Sequence, residues 1–341
     1  MTVPLWGWAS FVAFIAAMLL VDLLLVHRKA HEVSMKEAAT WSAVWITMGL
    51  SFGALIWALS GPTVAGEYLA GYLIEKSLSV DNIFVFALIF SYFSVPAAYQ
   101  HRVLFYGIFG ALVFRAIFIG AGAALLEQFH WMIYVFGGFL VLTGLKMARH
   151  RDIEVHPEHN PVLRMLRRAV PIASDYDEQR FFTCQAGRWM ATPMLAVLVI
   201  VETTDIIFAV DSIPAIFAVT RDTFIVFTSN AFAILGLRAL YFLLADMIGR
   251  FAHLKTGLAA ILVFVGAKML ISDIYKIPIW VSLIIIALTL AVAIAASMRT
   301  THRAGAVVAE KLPTLELVAG NGSGKQPAES SVESSRPSGR R

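Results

Sequence analysis

The chain has almost no cysteine and little charge. One thiol, Cys184, stands among 341 residues, which excludes an internal disulfide, a CxxC redox motif and any multi-thiolate metal site. Only 15% of residues are charged while 59% are hydrophobic, far outside the composition of soluble domains. There is no HExxH and no GxSxG, and none of the nine histidines falls well inside an apolar run. Hydrolysis by Ser–His, Cys–His or zinc chemistry at membrane depth therefore has no residues to use, and the chain does not read as an enzyme. The net charge of +4 belongs to loops beside a bilayer and does not point to nucleic acid.

What is present is an all-α, polytopic membrane protein. Apolar runs at about 4–26, 38–59, 66–93, 103–126, 131–147, 190–218, 222–245, 254–271 and 277–298 predict nine transmembrane helices, each long enough for a hydrocarbon core of about 30 Å. The first has no basic residue ahead of it and no small-residue cleavage site behind it, so it reads as a retained helix, with Asp22 near the headgroups. The organisation expected is two N-terminal helices (1–65), a three-helix repeat (66–148), a cytoplasmic loop (149–189), a second repeat (190–273), a last helix (274–298) and a disordered tail (299–341) rich in Gly, Ser, Pro, Glu and Arg. With the N-terminus outside and the C-terminus inside, the outer loops carry only Arg221 and Lys276 of the 27 Lys and Arg residues. That asymmetry sets the orientation.

Residues 202–214, ETTDIIFAVDSIP, put Glu202, Asp205 and Asp211 inside an apolar run. An aspartate at a helix centre costs roughly 2.5 to 3.5 kcal/mol on insertion scales, so such groups bind something or relay charge. Asp205 and Asp211 are about 240° apart on an ideal helix. Pro214 removes an N–H and crowds the carbonyl of Val210, which predicts local unwinding at Asp211. Broken helices at mid-membrane are where many transporters bind ions.

The pattern occurs twice. EKSLSVDNI at 75–83 matches the later stretch as Glu75/Asp205, Asp81/Asp211, Asn82/Ser212 and Ile83/Ile213. VFRAIF around Arg115 resembles GLRALY around Arg238, and VLTGLKMA around Lys146 resembles FVGAKML around Lys268. Three landmarks in one order imply an internal duplication, and the predicted topology makes the two three-helix repeats inverted, with a site expected near the midplane at their interface.

Acids and bases within the spans balance: Glu75, Asp81, Glu202, Asp205 and Asp211 against Lys76, Arg115, Lys146, Arg238 and Lys268. Buried charges must be paired or neutralised, so the bases, above all Arg115 and Arg238, are expected as counter-charges. Lys146 and Lys268 have the alternative of snorkelling toward headgroups, and Lys76 is expected to pair close by. The oxygen donors, with Asn82, Ser212 and Glu202 as possible accessory ligands, suit Mg²⁺, Ca²⁺ or Mn²⁺ over Zn²⁺ or Cu⁺. Asn82 and Ser212 have the alternative of capping a broken helix, and Glu202 that of partnering a base. Asn230 is expected to hydrogen-bond between spans. The histidines and acids of HRDIEVHPEHN form either a solvated loop or a metal-collecting patch, and PVLRMLRRAV either a basic amphipathic helix or plain loop.

EKSLSVDNIFVF, ETTDIIFAVDSIPAIFAVTRD and FTSNAFAILGLRALYFLL resemble the signature segments of the TerC family of integral membrane proteins, named for tellurium resistance, and particularly its Alx-like members. The resemblance covers about residues 66–273. It implies a multi-pass protein of the bacterial inner membrane, with members linked to manganese export and metal homeostasis, and Glu75, Asp81, Asp205 and Asp211 as metal-site residues. The function expected is export of a divalent cation, Mn²⁺ before Ca²⁺, by alternating access. The rivals are a non-transporting scaffold that delivers metal to exported proteins, and a carrier of another ion such as a tellurium species. Beyond the metal ion and the lipid bilayer no partner is implied.

Overall fold

The structure is a computed structural model that describes residues 3–21, 33–149, 161–185, 187–244, 254–275 and 277–297. Residues 22–32 with Asp22, the loop residues His150, Asp152, Glu154, His156, Glu158 and His159, and the tail 299–341 lie outside the described residues.

Pro62 at the first helical position, after Gly61 at φ 86°, turns α2 (Met35–Ser60) sharply into α3 (Pro62–Tyr92). Pro96 separates α3 from α4 (Ala97–Gln128), and a short turn leads to α5 (Met132–Arg149). The hydrophilic loop then holds a short helix, α6 (Pro161–Ala169), and an antiparallel hairpin of β1 (Phe182–Gln185) and β2 (Arg188–Ala191). The basic segment is thus helical, with Leu163 buried. Next come α7 (Pro193–Phe217) and α8 (Thr223–Leu235), the latter capped by Asp222, whose carboxylate accepts from the N–H groups of Phe224 and Ile225. α9 (Leu237–Leu244), α10 (Leu254–Leu270) and α11 (Ile279–Ser297) complete the described chain. α1 (Leu5–Val21) lies against α2 and α8 through Trp8 and Phe11, which meet Phe52, Phe224, Phe227 and Phe232.

Among the described residues five helices can by length and composition cross a membrane, namely α2, α4, α5, α7 and α11, and a sixth arises if the bent pair α8–α9 is one span. The all-α, multi-span architecture therefore holds. The remaining apolar runs fall on α1 and α10, each 17 residues long, and on α3, whose 31 residues include Glu67, Glu75, Lys76 and Asp81.

The structure differs from expectation in where a helix breaks. α7 runs unbroken through Asp211 and Pro214. Pro214 is three residues from the helix end, so its missing N–H removes one bond from a turn that is already finishing. The break is at Gly236, where α8 passes to α9 with a 40° bend. There Lys76 Nζ donates to the carbonyl of Ala233 at 3.0 Å, which is the acceptor that the N–H of Leu237 would take in a continuous helix. Lys76 therefore reaches across to α8, and does not pair with an acid beside it. A Cβ at Gly236 would lie 2.8 Å from Lys76 Nζ and 3.0 Å from the Cβ of Trp45.

α5 and α10 are the most extensively packed helix pair, and glycine is the reason. A Cβ on Gly266 would be 2.8 Å from the carbonyl oxygen of Gly137, and one on Gly144 would be 2.9 Å from that of Ala259. Backbone cannot give way as a side chain can. Gly266→Ala and Gly144→Ala are each expected to destabilise the protein by about 1–3 kcal/mol. Gly138→Ala, on the same helix with nothing within 4 Å, should be neutral or stabilising. Denaturant titration in detergent checks the contrast.

Candidate functional site

Arg115 of α4 is 1% exposed and gathers the charges of two other helices. Its Nε and Nη2 donate to the two carboxylate oxygens of Asp205 on α7, at 3.2 and 3.0 Å, a bidentate fork. Its Nη1 donates to Glu75 Oε1 on α3 and, at 3.2 Å, to Ser212 Oγ. One guanidinium thus faces two buried carboxylates, leaving the cluster one negative charge in excess. The second oxygen of Glu75, Oε2, is buried and has no hydrogen-bond partner.

Beside this cluster lies a cavity of about 50 Å³ lined by Glu75, Leu78, Asp81, Asn82, Arg115, Met147, Phe208, Asp211, Ser212 and Leu262. Three of the four acids expected at the metal site, Glu75, Asp81 and Asp211, meet here with two of the three expected accessory residues, Asn82 and Ser212. The fourth, Asp205, does not line it. It is turned to Arg115 and to a void of about 10 Å³ walled by Gly107, Ala111, Val201 and Leu237. Thr143 Oγ1 of α5 donates to Asp211 Oδ1 at 3.2 Å, and the charge of Lys146 acts on Asp211 as that of Lys255 acts on Asp81. Among the described residues no group of three or more His, Cys, Asp or Glu side chains is close enough to hold an ion as it stands.

The other expected residues lie elsewhere. Glu202 packs against Gly110 of α4, where a Cβ would overlap its carboxylate, and its Oε2 is buried without a partner. Arg238 on α9 is buried, and the bonds to Glu75 and Asp205 described above come from Arg115. Asn230 is buried in α8, and its Nδ2 has no hydrogen-bond partner. Lys268 stands on the wall of a separate polar vestibule of about 430 Å³ with Glu67, His130, Thr220, Arg221, Met269 and Asp273. Thr220 Oγ1 donates to Glu67 Oε2 at 2.6 Å, and the Tyr134 hydroxyl to Asp273 Oδ2 at 2.7 Å. The bond from Tyr134, with a smaller contribution from His130, holds the Asp273 carboxyl below the usual carboxylate range. This tie between α5 and the turn after α10 is complete at neutral pH and is lost only as pH falls through a pKa below 3.8.

Sequence reasoning missed Thr143 and Met147 at the cavity and Glu67 and Asp273 at the vestibule. Met147 had a signal: it follows Lys146 as Met269 follows Lys268. Thr143 had none, because its counterpart in that alignment is Val265.

Known proteins resemble the chain along most of its length. The sequence pattern of the integral membrane protein TerC family matches residues 60–305. An uncharacterized membrane protein of Myxococcus xanthus, STKORF319, is 55% identical over 297 residues, covering 87% of this chain and 93% of its own. The protein of Escherichia coli K12 whose name describes a membrane-bound redox modulator, Alx, is 54% identical over 285 residues, 81% of this chain and 89% of its own. An uncharacterized membrane protein of Rickettsia felis is 41% identical over 281 residues, 82% of this chain and 93% of its own. No solved structure matches. On a family match that spans most of the chain, and on relatives above half identity along nearly their whole length, this protein belongs to the TerC family of integral membrane proteins.

Proposed function

We propose that the protein exports a divalent cation, Mn²⁺ first, from the cytoplasm across the bacterial inner membrane by alternating access. The observation that carries this reading is the symmetry of the cavity. Leu78 and Phe208, Asp81 and Asp211, and Asn82 and Ser212 correspond at a constant offset of 130 residues, and all six line one buried space with a partnerless carboxylate oxygen. The glycine contacts support the same two-fold relation, because Gly144 against Ala259 corresponds to Gly266 against Gly137. A carrier built from inverted repeats has its site on such an axis, and the loop charges favour an external N-terminus.

Ligand chemistry favours Mn²⁺ over its rivals. Carboxylate, amide and hydroxyl oxygens suit hard cations. Mg²⁺ gives up its water reluctantly and Ca²⁺ asks for six to eight oxygens, whereas a cavity of about 50 Å³ has room for a largely dehydrated ion. The thioether of Met147 on its wall adds a softer contact that Mn²⁺ tolerates best of the three. A tellurium oxyanion would meet Glu75, Asp81 and Asp211 with only Arg115 to receive it. The single cysteine leaves no dithiol to exchange within the chain, so an effect on cellular redox state of the kind that the name of the E. coli relative describes would act through the metal.

Asp81, Asp211 and the free oxygen of Glu75 bind the ion, and Asp205 holds Arg115 beside them as a counter-charge when the ion has left. Purified protein in liposomes loaded in turn with Mn²⁺, Ca²⁺ or Mg²⁺, with internal pH recorded, is expected to move Mn²⁺ fastest and protons in the opposite direction. Binding without flux would replace this reading with that of a non-transporting scaffold.

A further inference from the structure

We infer that Glu75 and Asp205 form one seat that two arginines occupy in turn, Arg115 in the state described here and Arg238 in the opposite state. The inference rests on the reading of the chain as an alternating-access carrier and adds to it the switch that changes its side.

The argument begins from the two-fold relation. Glu75 and Asp205 are counterparts 130 residues apart, so the operation that exchanges the repeats turns this pair into itself. Applied to Arg115 it gives Arg238, the matching position in VFRAIF and GLRALY. A pair that maps onto itself has two arginines related to it equally by sequence, yet Arg115 alone supplies three hydrogen bonds to it here. The planar guanidinium of Arg115 already bridges Glu75 and Asp205.

The backbone is asymmetric at the same place. Two residues before Arg238 the helix breaks at Gly236 with a 40° bend, whereas the corresponding Val113 lies within the unbroken α4. Lys76, adjacent to Glu75, inserts its ammonium into that break. Leu237, adjacent to Arg238, already lines the small void against Asp205. Closing the bend therefore needs Lys76 to release the Ala233 carbonyl, and it moves the segment that carries Arg238 relative to the seat. The space around the site is asymmetric too. Met269 lines the vestibule of about 430 Å³, while its counterpart Met147 lines only the enclosed cavity. The two repeats thus differ in the space beside corresponding residues, and the arginine in the seat marks which of the two states this is.

The test reads the two repeats separately in the full-length protein in detergent, without metal, in a Cys184→Ser background. Met147→Cys and Met269→Cys serve as reporters at the cavity and at the vestibule, labelled by a small methanethiosulfonate reagent. Arg238→Gln is expected to lower the labelling rate at position 147 by about tenfold and to raise or hold it at 269, because only the Arg115 state keeps its partner. Arg115→Gln should shift both rates the opposite way. Arg238→Lys, which keeps the charge, should return the rates toward those of the unmodified seat. If Arg115→Gln does not reach the membrane, the two Arg238 variants decide alone. Rates that move together at both positions, or that Arg238→Gln leaves unchanged, overturn the proposal. Since labelling is read without metal, its outcome is separate from that of the flux assay.

Discussion

Arg115→Leu is expected to destabilise the protein by about 3–5 kcal/mol, the cost of removing one partner from a buried ion pair and leaving the other charge uncompensated. Here two carboxylates are left. Glu75 is fully buried and Asp205 nearly so, and Arg115 supplies the bidentate fork to Asp205 as well as the bond to Glu75. The measurement is thermal unfolding of the detergent-solubilised protein followed by the amount remaining monodisperse. A triple change, Arg115→Leu with Glu75→Gln and Asp205→Asn, should recover most of the loss, since neutral isosteres remove the charge that the guanidinium was balancing. If Arg115→Leu alone leaves the melting curve in place, the charge cluster does not hold α3, α4 and α7 together. Whether the triple variant transports is a separate question, and no recovery of flux is expected from it.

Much of this site was readable in the sequence because a repeated motif carries its own geometry. Glu75, Leu78 and Asn82 follow one another at intervals of three and four residues, as do Asp205, Phe208 and Ser212, so each set shares a helix face. Asp211 seemed to need a broken helix because the six residues that separate it from Asp205 turn about 240°. The same separation is 120° the other way, an arc that Leu78 and Asn82 fill on α3, and a carboxylate at either edge of such an arc reaches one cavity without any unwinding. The break at Gly236 was also visible, as a glycine where the other copy has Val113, but its cause was not. It depends on Lys76 arriving from a helix 157 residues away in sequence, and no local pattern carries that contact. The same holds for Asp205, whose spacing marks it as a counterpart of Glu75 but does not reveal that Arg115 takes both its oxygens.

Asp81→Asn and Asp211→Asn are each expected to lower Mn²⁺ flux by about 100-fold or more while leaving the folded protein in place. Loss of a group that merely supports a ligand costs up to about 100-fold in metal affinity, and a direct carboxylate ligand also supplies the charge that offsets dehydration of the ion. The two substitutions differ from Arg115→Leu in what they leave behind. Neither residue is bonded to Arg115, and Asp211 keeps an acceptor oxygen for Thr143 Oγ1 as an asparagine, so no buried charge is orphaned and thermal stability should stay close to that of the unmodified protein. Manganese flux in proteoliposomes at equal protein content, paired with melting curves, makes the distinction. The two-fold relation adds a sharper requirement: because Asp81 and Asp211 face the same ion from equivalent positions, the variants should fail to the same degree, and the double variant should be scarcely worse than either. Loss of flux in one alone would mean that the ion is held on one repeat and that the symmetry of the cavity is inherited without being used.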